Sequence, residues 1–132
     1  DLFVVVDSEV AGSEWEQELY LLGVPEGAEA SFVTPEEARA RIQEWKASSV
    51  RIVLLTRDVE TMVAVGKGGG LAGEEVNLGG IHFQKGREEA LPYIFLDDGV
   101  RQNLAALEAE GVTVSARDLP DSSRVSLKAL LG

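Results

Sequence analysis

The chain has 132 residues, 45% of them hydrophobic and 27% charged, which fits one globular domain with a sizeable core. Its 12 Lys and Arg against 23 Asp and Glu leave a formal charge of −11, which disfavours nucleic acid and anionic membranes as partners. The chain has no cysteine and one histidine, so disulfides, thiol catalysis and Cys- or His-rich metal sites are excluded. No apolar run approaches the roughly 20 residues that span a bilayer, and a cytoplasmic protein is expected.

The first predicted elements are a strand and a helix. Leu2–Val6 is entirely apolar and predicts a strand that is covered on both faces. Ser13 predicts the N-cap of a helix in which Trp15, Leu19 and Leu22 share one face. We expect that face to be buried.

The second strand and helix follow directly. A short strand is predicted around Ala30–Val33, and Thr34–Glu37 reads as a capping box with proline at the first helical position. The helix that begins there is expected to bury Ala38, Ile42 and Trp45, which recur at helical spacing.

The middle of the chain repeats the alternation. Val50–Leu55 predicts a second apolar strand, interrupted only by Arg51, and Asp58 begins a helix that ends at Gly66. Glu75–Leu78 predicts a strand that leads into a pair of glycines.

The last third predicts a polar connection over Ile81–Ala90, a strand over Pro92–Leu96, and a helix capped by Asp97 or Asp98, with Gly111 just past its end. A strand over Val112–Ala116 and a helix over Val125–Leu131 complete the chain. Strands that alternate with helices predict an α/β fold with a mostly parallel sheet between two helical layers. We expect residues 1–132 to form a single domain.

The candidate site follows from the strand ends. Ligands of open parallel sheets bind at the carboxyl ends of the strands. Thr56 and Arg57 place a hydroxyl and a guanidinium before a helix, a combination that suits a phosphate or another oxyanion. Gly79 and Gly80 let a ligand approach the backbone closely, and Asp7 also stands at a strand end. A helix cap, a surface arginine and a plain turn are the alternative interpretations of these residues.

His82 and the run Gly68–Gly70 carry weaker signals. His82 is the only imidazole, and a lone histidine is more often structural than catalytic. Gly68–Gly70 has the composition of a phosphate-binding loop, but Leu71-Ala72-Gly73 follows where a nucleotide loop needs Lys and Ser or Thr. Nucleotide binding through this loop is therefore rejected.

The segment Asn77–His82 reads Asn-Leu-Gly-Gly-Ile-His, and it occurs together with Val4–Ala11, Thr34–Ala38, Val53–Asp58, Lys85–Arg87, Asp97-Asp98 and Gly111–Pro120. These segments resemble the IIB component of the mannose/fructose/sorbose class of the bacterial sugar phosphotransferase system. The resemblance covers essentially the whole chain, and Asn77–His82 is its most specific part. It implies a three-layer α/β/α fold and a cytoplasmic phosphocarrier, without a cofactor, that associates peripherally with a membrane transporter. Such a carrier takes phosphate from a IIA partner onto a histidine and passes it to a sugar at the membrane components IIC and IID.

The family's acceptor histidine has no match within residues 1–132. It belongs to a segment that reads roughly Arg-x-Asp-Asp-Arg-x-x-His-Gly-Gln, and we expect this loop and its strand to precede Asp1 in the natural protein. His82 aligns with another family position and is only a secondary candidate. The residues expected to bind or orient the phosphoryl group are Asp7, Thr56, Arg57, Gly79 and Gly80.

The sequence is also compatible with two other functions. One is a receiver-like domain phosphorylated on aspartate, supported by a first strand that ends at Asp7 and a later one that ends at Thr56. The other is a regulatory or interaction domain that kept the scaffold without the transfer chemistry. The sequence leaves the sugar and the oligomeric state open, a homodimer included.

Overall fold

The computed structural model describes all 132 residues, which form two compact units, Asp1–Val65 and Gly66–Gly132. The elements of the first unit are β1 Leu2–Val6, α1 Ser8–Ala11, α2 Glu14–Leu21, β2 Glu29–Val33, α3 Pro35–Ala47, β3 Ile52–Leu55 and α4 Val59–Gly66, whose last residue is the first of the next unit. Those of the second are β4 Glu75–Leu78, β5 Glu88–Leu91, β6 Ile94–Leu96, α5 Asp98–Ala109, β7 Thr113–Ala116, β8 Val125–Ser126 and α6 Leu127–Leu131.

The first unit is built on a parallel sheet in the order β2-β1-β3. The register places Val6 beside Val33, and Val5 beside Leu55. The central strand β1 is fully apolar, and its last three residues are buried, as expected for a strand covered on both faces. The three strands therefore end at one edge, where Asp7 and Thr56 follow β1 and β3.

Side chains fix the starts of the helices in this unit. Ser13 caps α2 by accepting a hydrogen bond from the Glu16 amide at 3.3 Å. Thr34 and Glu37 form the reciprocal capping box before α3. Both predicted caps are confirmed.

The second unit has parallel and antiparallel pairs. β4 runs parallel to β7, which pairs antiparallel with β8, while β5 and β6 form an antiparallel hairpin. Asp97 caps α5, whose Val100, Leu104 and Leu107 are buried as predicted. Three of the five strand pairings in the chain are parallel, so the predicted mostly parallel α/β class is confirmed.

The boundaries of two predicted segments are wrong. The connection predicted over Ile81–Ala90 contains the start of β5, because this polar segment pairs with β6 in a hairpin. The helix predicted over Val125–Leu131 begins only at Leu127. Ser126 caps this helix, and Val125 and Ser126 pair with β7 as strand β8. No helix of the chain has the length and apolar character needed to cross a membrane.

The predicted buried face of α2 is wrong. Trp15, Leu19 and Leu22 are 69%, 49% and 84% exposed, and no residue of α2 is buried. The helix is short, and it is attached to the fold through polar residues on its other side, which hydrophobic spacing does not reveal.

Gly111, just after α5, has a left-handed backbone conformation that a substitution can test. Its φ is +88°, and a Cβ there would lie 3.2 Å from the Ala72 Cβ. Left-handed backbone costs about 1–3 kcal/mol for a residue with a side chain. We expect Gly111→Ala to lower the free energy of unfolding by at least this amount in urea titrations, with Gly23→Ala as the control. An unchanged midpoint would contradict the assigned conformation.

Candidate functional site

Asp7 is held by both of its carboxylate oxygens. Oδ1 accepts hydrogen bonds from the amides of Glu9 and Val10 at 3.0 and 3.1 Å, which caps α1. Oδ2 lies 3.1 Å from Arg57 Nε. The side chain is only 17% exposed. Asp7 thus fixes the helix start beside β1 and the guanidinium that follows β3.

Arg57 lies among three carboxylates at the carboxyl edge of the first sheet. Its Nη2 is 3.3 Å from Glu16 Oε1, and its Nη1 is 3.9 Å from Glu9 Oε2, in addition to the Asp7 contact. A hydrogen bond with the Tyr20 side chain, followed by the charge of Asp7, raises the pKa of Arg57. We call Asp7, Glu9, Glu16 and Arg57 the Arg57 cluster.

The charges of the Arg57 cluster determine what it can bind. Three carboxylates and one guanidinium give it a formal charge of −2, and the guanidinium is 45% exposed. A phosphoryl oxygen can reach Arg57 from solvent, but it has to compete with carboxylates that already accept from it. The cluster is therefore an arginine held in place by anions.

Thr56 lies in the same unit, next to the cluster in sequence. Its Oγ1 donates to the carbonyl oxygen of Asp58 at 2.8 Å, and Asp58 Oδ1 accepts from the Thr61 amide at 2.7 Å to cap α4. Because a hydroxyl has one proton, Thr56 has to give up its present hydrogen bond before it donates to a ligand.

Gly79 and Gly80 follow β4 in the second unit, and both are exposed. Neither has a positive φ. A Cβ on Gly79 would meet nothing within 4 Å, and one on Gly80 would meet only the Tyr93 carbonyl at 3.7 Å. Local backbone and local packing therefore require glycine at neither position. The close approach of another molecule to the backbone would still explain glycine at these positions.

His82 lies on an exposed loop that Arg87 attaches to the fold. Arg87 Nη1 donates to the His82 carbonyl at 2.9 Å, and its Nε lies 3.3 Å from Asp97 Oδ2. The next residue, Phe83, is 64% exposed and meets Phe95 edge-on, with ring centroids 5.7 Å apart. His82 is therefore exposed to solvent on a loop whose backbone Arg87 holds in place.

Asp97 makes the stability of this unit depend on pH. The amide of Val100, and then Arg87, lower its pKa. A lowered pKa adds stability that is present above the unfolded-state value of about 3.9 and is lost as the pH falls through the folded value. We expect Asp97→Asn to destabilise the chain at pH 7 and the difference to shrink by pH 3, measured by urea unfolding. Asp98→Asn, a 94% exposed carboxylate, is the control, and a constant difference would contradict the assignment.

The predicted residues thus fall into two sets. The first unit brings Asp7 and Arg57 into contact, with Thr56 beside them, and the second unit holds Gly79, Gly80 and His82. Sequence analysis missed Glu16 and Tyr20, which bind Arg57 across about 40 residues of sequence. Glutamates in the first turn of a helix are usually solvated, so their sequence carries no signal for such a contact.

Comparison with known proteins gives a family match over the entire chain. Residues 1–132 match the family described as "PTS system sorbose subfamily IIB component". The chain is 28% identical over 125 residues to the N-acetylgalactosamine-specific phosphotransferase enzyme IIB component 1 of Escherichia coli K12, covering 94% of this chain and 78% of that protein.

Solved structures agree with this match. The crystal structure of that Escherichia coli component superposes with a TM-score of 0.85 over 95% of this chain and 81% of its own, at 28% identity. The manxB structure from Thermoanaerobacter tengcongensis gives 0.83 over 98% and 78%, at 25% identity. The IIBSor domain of the Klebsiella pneumoniae sorbose permease gives 0.85 over 98% and 80%, at 18% identity, which shows a shared fold.

Proposed function

Because the chain belongs to the sorbose subfamily of phosphotransferase-system IIB components, we propose that it carries a phosphoryl group between a IIA donor and a sugar. The observation that supports this most strongly is the family match over all 132 residues. A role in sugar phosphotransfer is common to the family. The donor, the acceptor atom and the membrane partners belong to this proposal, as does a cytoplasmic location beside the transporter.

The proposed chemistry consists of two displacements at phosphorus. A neutral imidazole nitrogen of this protein attacks the phosphoryl group of a IIA phosphohistidine, so that one N–P bond forms while the other breaks. A sugar hydroxyl oxygen, bound at IIC and IID, then attacks the phosphorus, loses its proton and releases the imidazole. No cofactor is needed. We place the accepting imidazole before Asp1 in the natural protein, because the segment that carries it in the family has no match in residues 1–132.

Residues of the first unit would serve as surroundings of that imidazole. Positioning and charge stabilisation account for most of the catalysis of phosphoryl transfer. Arg57 offers a guanidinium that is 45% exposed, held in one orientation by Asp7 and Glu16. Gly79 and Gly80 offer backbone that a phosphoryl group or a partner can approach, and Thr56 offers a hydroxyl that can exchange its hydrogen bond.

The donor half of the proposal is tested with labelled phosphoenolpyruvate, the general phosphotransferase proteins and a IIA protein of the same system. The protein expressed from its complete reading frame should become labelled, whereas residues 1–132 alone should not. His82→Gln in the complete protein should label like the parent. A complete protein that stays unlabelled would favour a regulatory or interaction domain on this scaffold.

The sugar half is tested in vesicles that hold IIC and IID. Labelled protein should lose its phosphate to a sugar, and N-acetylgalactosamine and sorbose are the first to try because relatives carry their names.

The alternative of a receiver phosphorylated on Asp7 has little support, since both Asp7 oxygens already accept hydrogen bonds or pair with Arg57.

A further inference from the structure

Exposed apolar side chains lie along α2 and its C-cap residue. Trp15, Leu19 and Leu22 follow one another at helical spacing and form a continuous stripe, which we call the Trp15 stripe. They are 69%, 49% and 84% exposed. Contiguous exposed apolar surface of this kind is typical of interaction sites, and tryptophan is enriched among the residues that dominate binding energy.

The opposite face of α2 is firmly attached to the fold. Gln17 Nε2 donates to two carbonyl oxygens of α1, at 3.0 and 3.2 Å. Tyr20 meets the Phe32 ring edge-on with centroids 6.1 Å apart, and Glu16 pairs with Arg57. These contacts hold the helix in one orientation, so rotation cannot bury the stripe. The apolar residues therefore face outward on a fixed element.

Charge narrows the choice of partner for the Trp15 stripe. α2 contains three glutamates and no basic residue, and Glu16 is the one of these glutamates that pairs with Arg57. Glu14 and Glu18 are exposed beside the stripe. A second copy would bring the same acidic helix against it, and an anionic lipid surface would meet a chain of charge −11. A basic partner with apolar side chains fits best.

We propose that the Trp15 stripe docks on the basic cytoplasmic surface of the membrane component that receives the phosphoryl group. Cytoplasmic loops of membrane proteins carry an excess of Lys and Arg, which complements Glu14 and Glu18. The inference rests on the proposed function for the identity of this partner. The stripe adjoins the proposed transfer site, since Glu16 of the same helix belongs to the Arg57 cluster.

Binding to nanodiscs tests the docking surface without any phosphoryl donor. The complete protein is titrated onto nanodiscs that hold IIC and IID, and onto empty nanodiscs of the same phosphatidylglycerol-containing lipid. We expect binding to the loaded nanodiscs only, with Trp15→Ala and Leu22→Ala each weakening it at least tenfold. Glu14→Lys with Glu18→Lys should weaken it further and remove its salt dependence. Leu119→Ala, at a 58% exposed leucine outside α2, should bind like the parent.

The two proposals fail differently. Stripe-dependent binding by a protein that never becomes labelled would overturn the proposed function alone. Equal binding to empty nanodiscs, or parent-like binding by Trp15→Ala, would overturn the docking surface alone.

A cysteine placed in the stripe distinguishes the proposed membrane partner from two other possible occupants, the protein's own chain and a second copy. Residues 1–132 contain no cysteine, so the maleimide labelling of Leu22→Cys in excess of that of the parent protein reports access to the stripe. We expect the isolated protein to label fast at every concentration and to be protected by the loaded nanodiscs. Protection in the isolated monomer would show that its own chain covers the stripe, and protection only at high concentration would show a second copy. Either result overturns the proposal.

Discussion

Replacing Arg57 by glutamine is expected to slow phosphoryl transfer from the IIA donor by about 100-fold, the usual effect of losing one donor to a developing oxyanion. Two effects act together. The phosphoryl group loses a guanidinium, and the carboxylates of Asp7, Glu9 and Glu16 remain without their counter-ion. Rapid-quench measurement of label transfer to the complete protein gives the rate.

Three controls separate this role from a structural one. Arg57→Lys keeps the charge but loses the planar fork, so we expect an intermediate rate. Arg124→Gln removes an arginine that is 55% exposed and weakly paired, since its Nη1 lies 3.9 Å from Glu75 Oε2. This change should leave the rate unchanged. Urea unfolding checks that the variants fold. A folded Arg57→Gln protein that transfers within threefold of the parent would remove Arg57 from the site.

The second large effect is expected at Gly79. A methyl group fits there without any contact inside 4 Å, and the φ angle is not positive. Gly79→Ala should therefore leave the free energy of unfolding unchanged or raise it by up to about 1 kcal/mol, through the lower entropy of the unfolded chain. If the glycine admits the transferring group, displacing that group by about 1 Å should cost up to about 100-fold in rate.

Stability and rate together decide how Gly79 is interpreted. Gly23→Ala is the matched control, because a Cβ there meets only the Tyr20 carbonyl at 3.6 Å. It should change the free energy of unfolding in the same direction as Gly79→Ala and leave the transfer rate unchanged. A Gly79→Ala protein with parent-like transfer would show that this glycine has no part in the reaction, whereas a loss of stability would show a structural role.

Local signals in the sequence predicted most of the fold. The capping box at Thr34, the Asp97 cap and the glycine after α5 are each short-range features, and the structure has all three. The apolar strands β1 and β3 also lie near their predicted positions, because fully apolar runs of this length favour parallel strands.

Long-range polar contacts could not be predicted in the same way. The spacing of Trp15, Leu19 and Leu22 indicates an amphipathic helix but not the side that faces the fold. That side is decided by Gln17, Tyr20 and the pairing of Glu16 with Arg57, all of which depend on tertiary structure.

The candidate site shows the same division. Parallel strands end at one edge, so the proximity of Asp7 and Arg57 follows from the order of the strands. The two glutamates that complete the Arg57 cluster come from α1 and α2, and strand order does not reveal them. Their presence makes Arg57 a cation paired with three carboxylates, none of which the sequence assigned to it.

The central claim is that this protein carries phosphate on a histidine nitrogen, and the chemical stability of the labelled protein tests it most directly. The complete protein is labelled by its IIA donor, divided, and incubated in acid and in alkali before the retained label is counted. We predict that the label is lost in acid and retained in alkali, as expected of a phosphoramidate. Label that survives acid but is lost in alkali would indicate an acyl phosphate on an aspartate and would contradict the account.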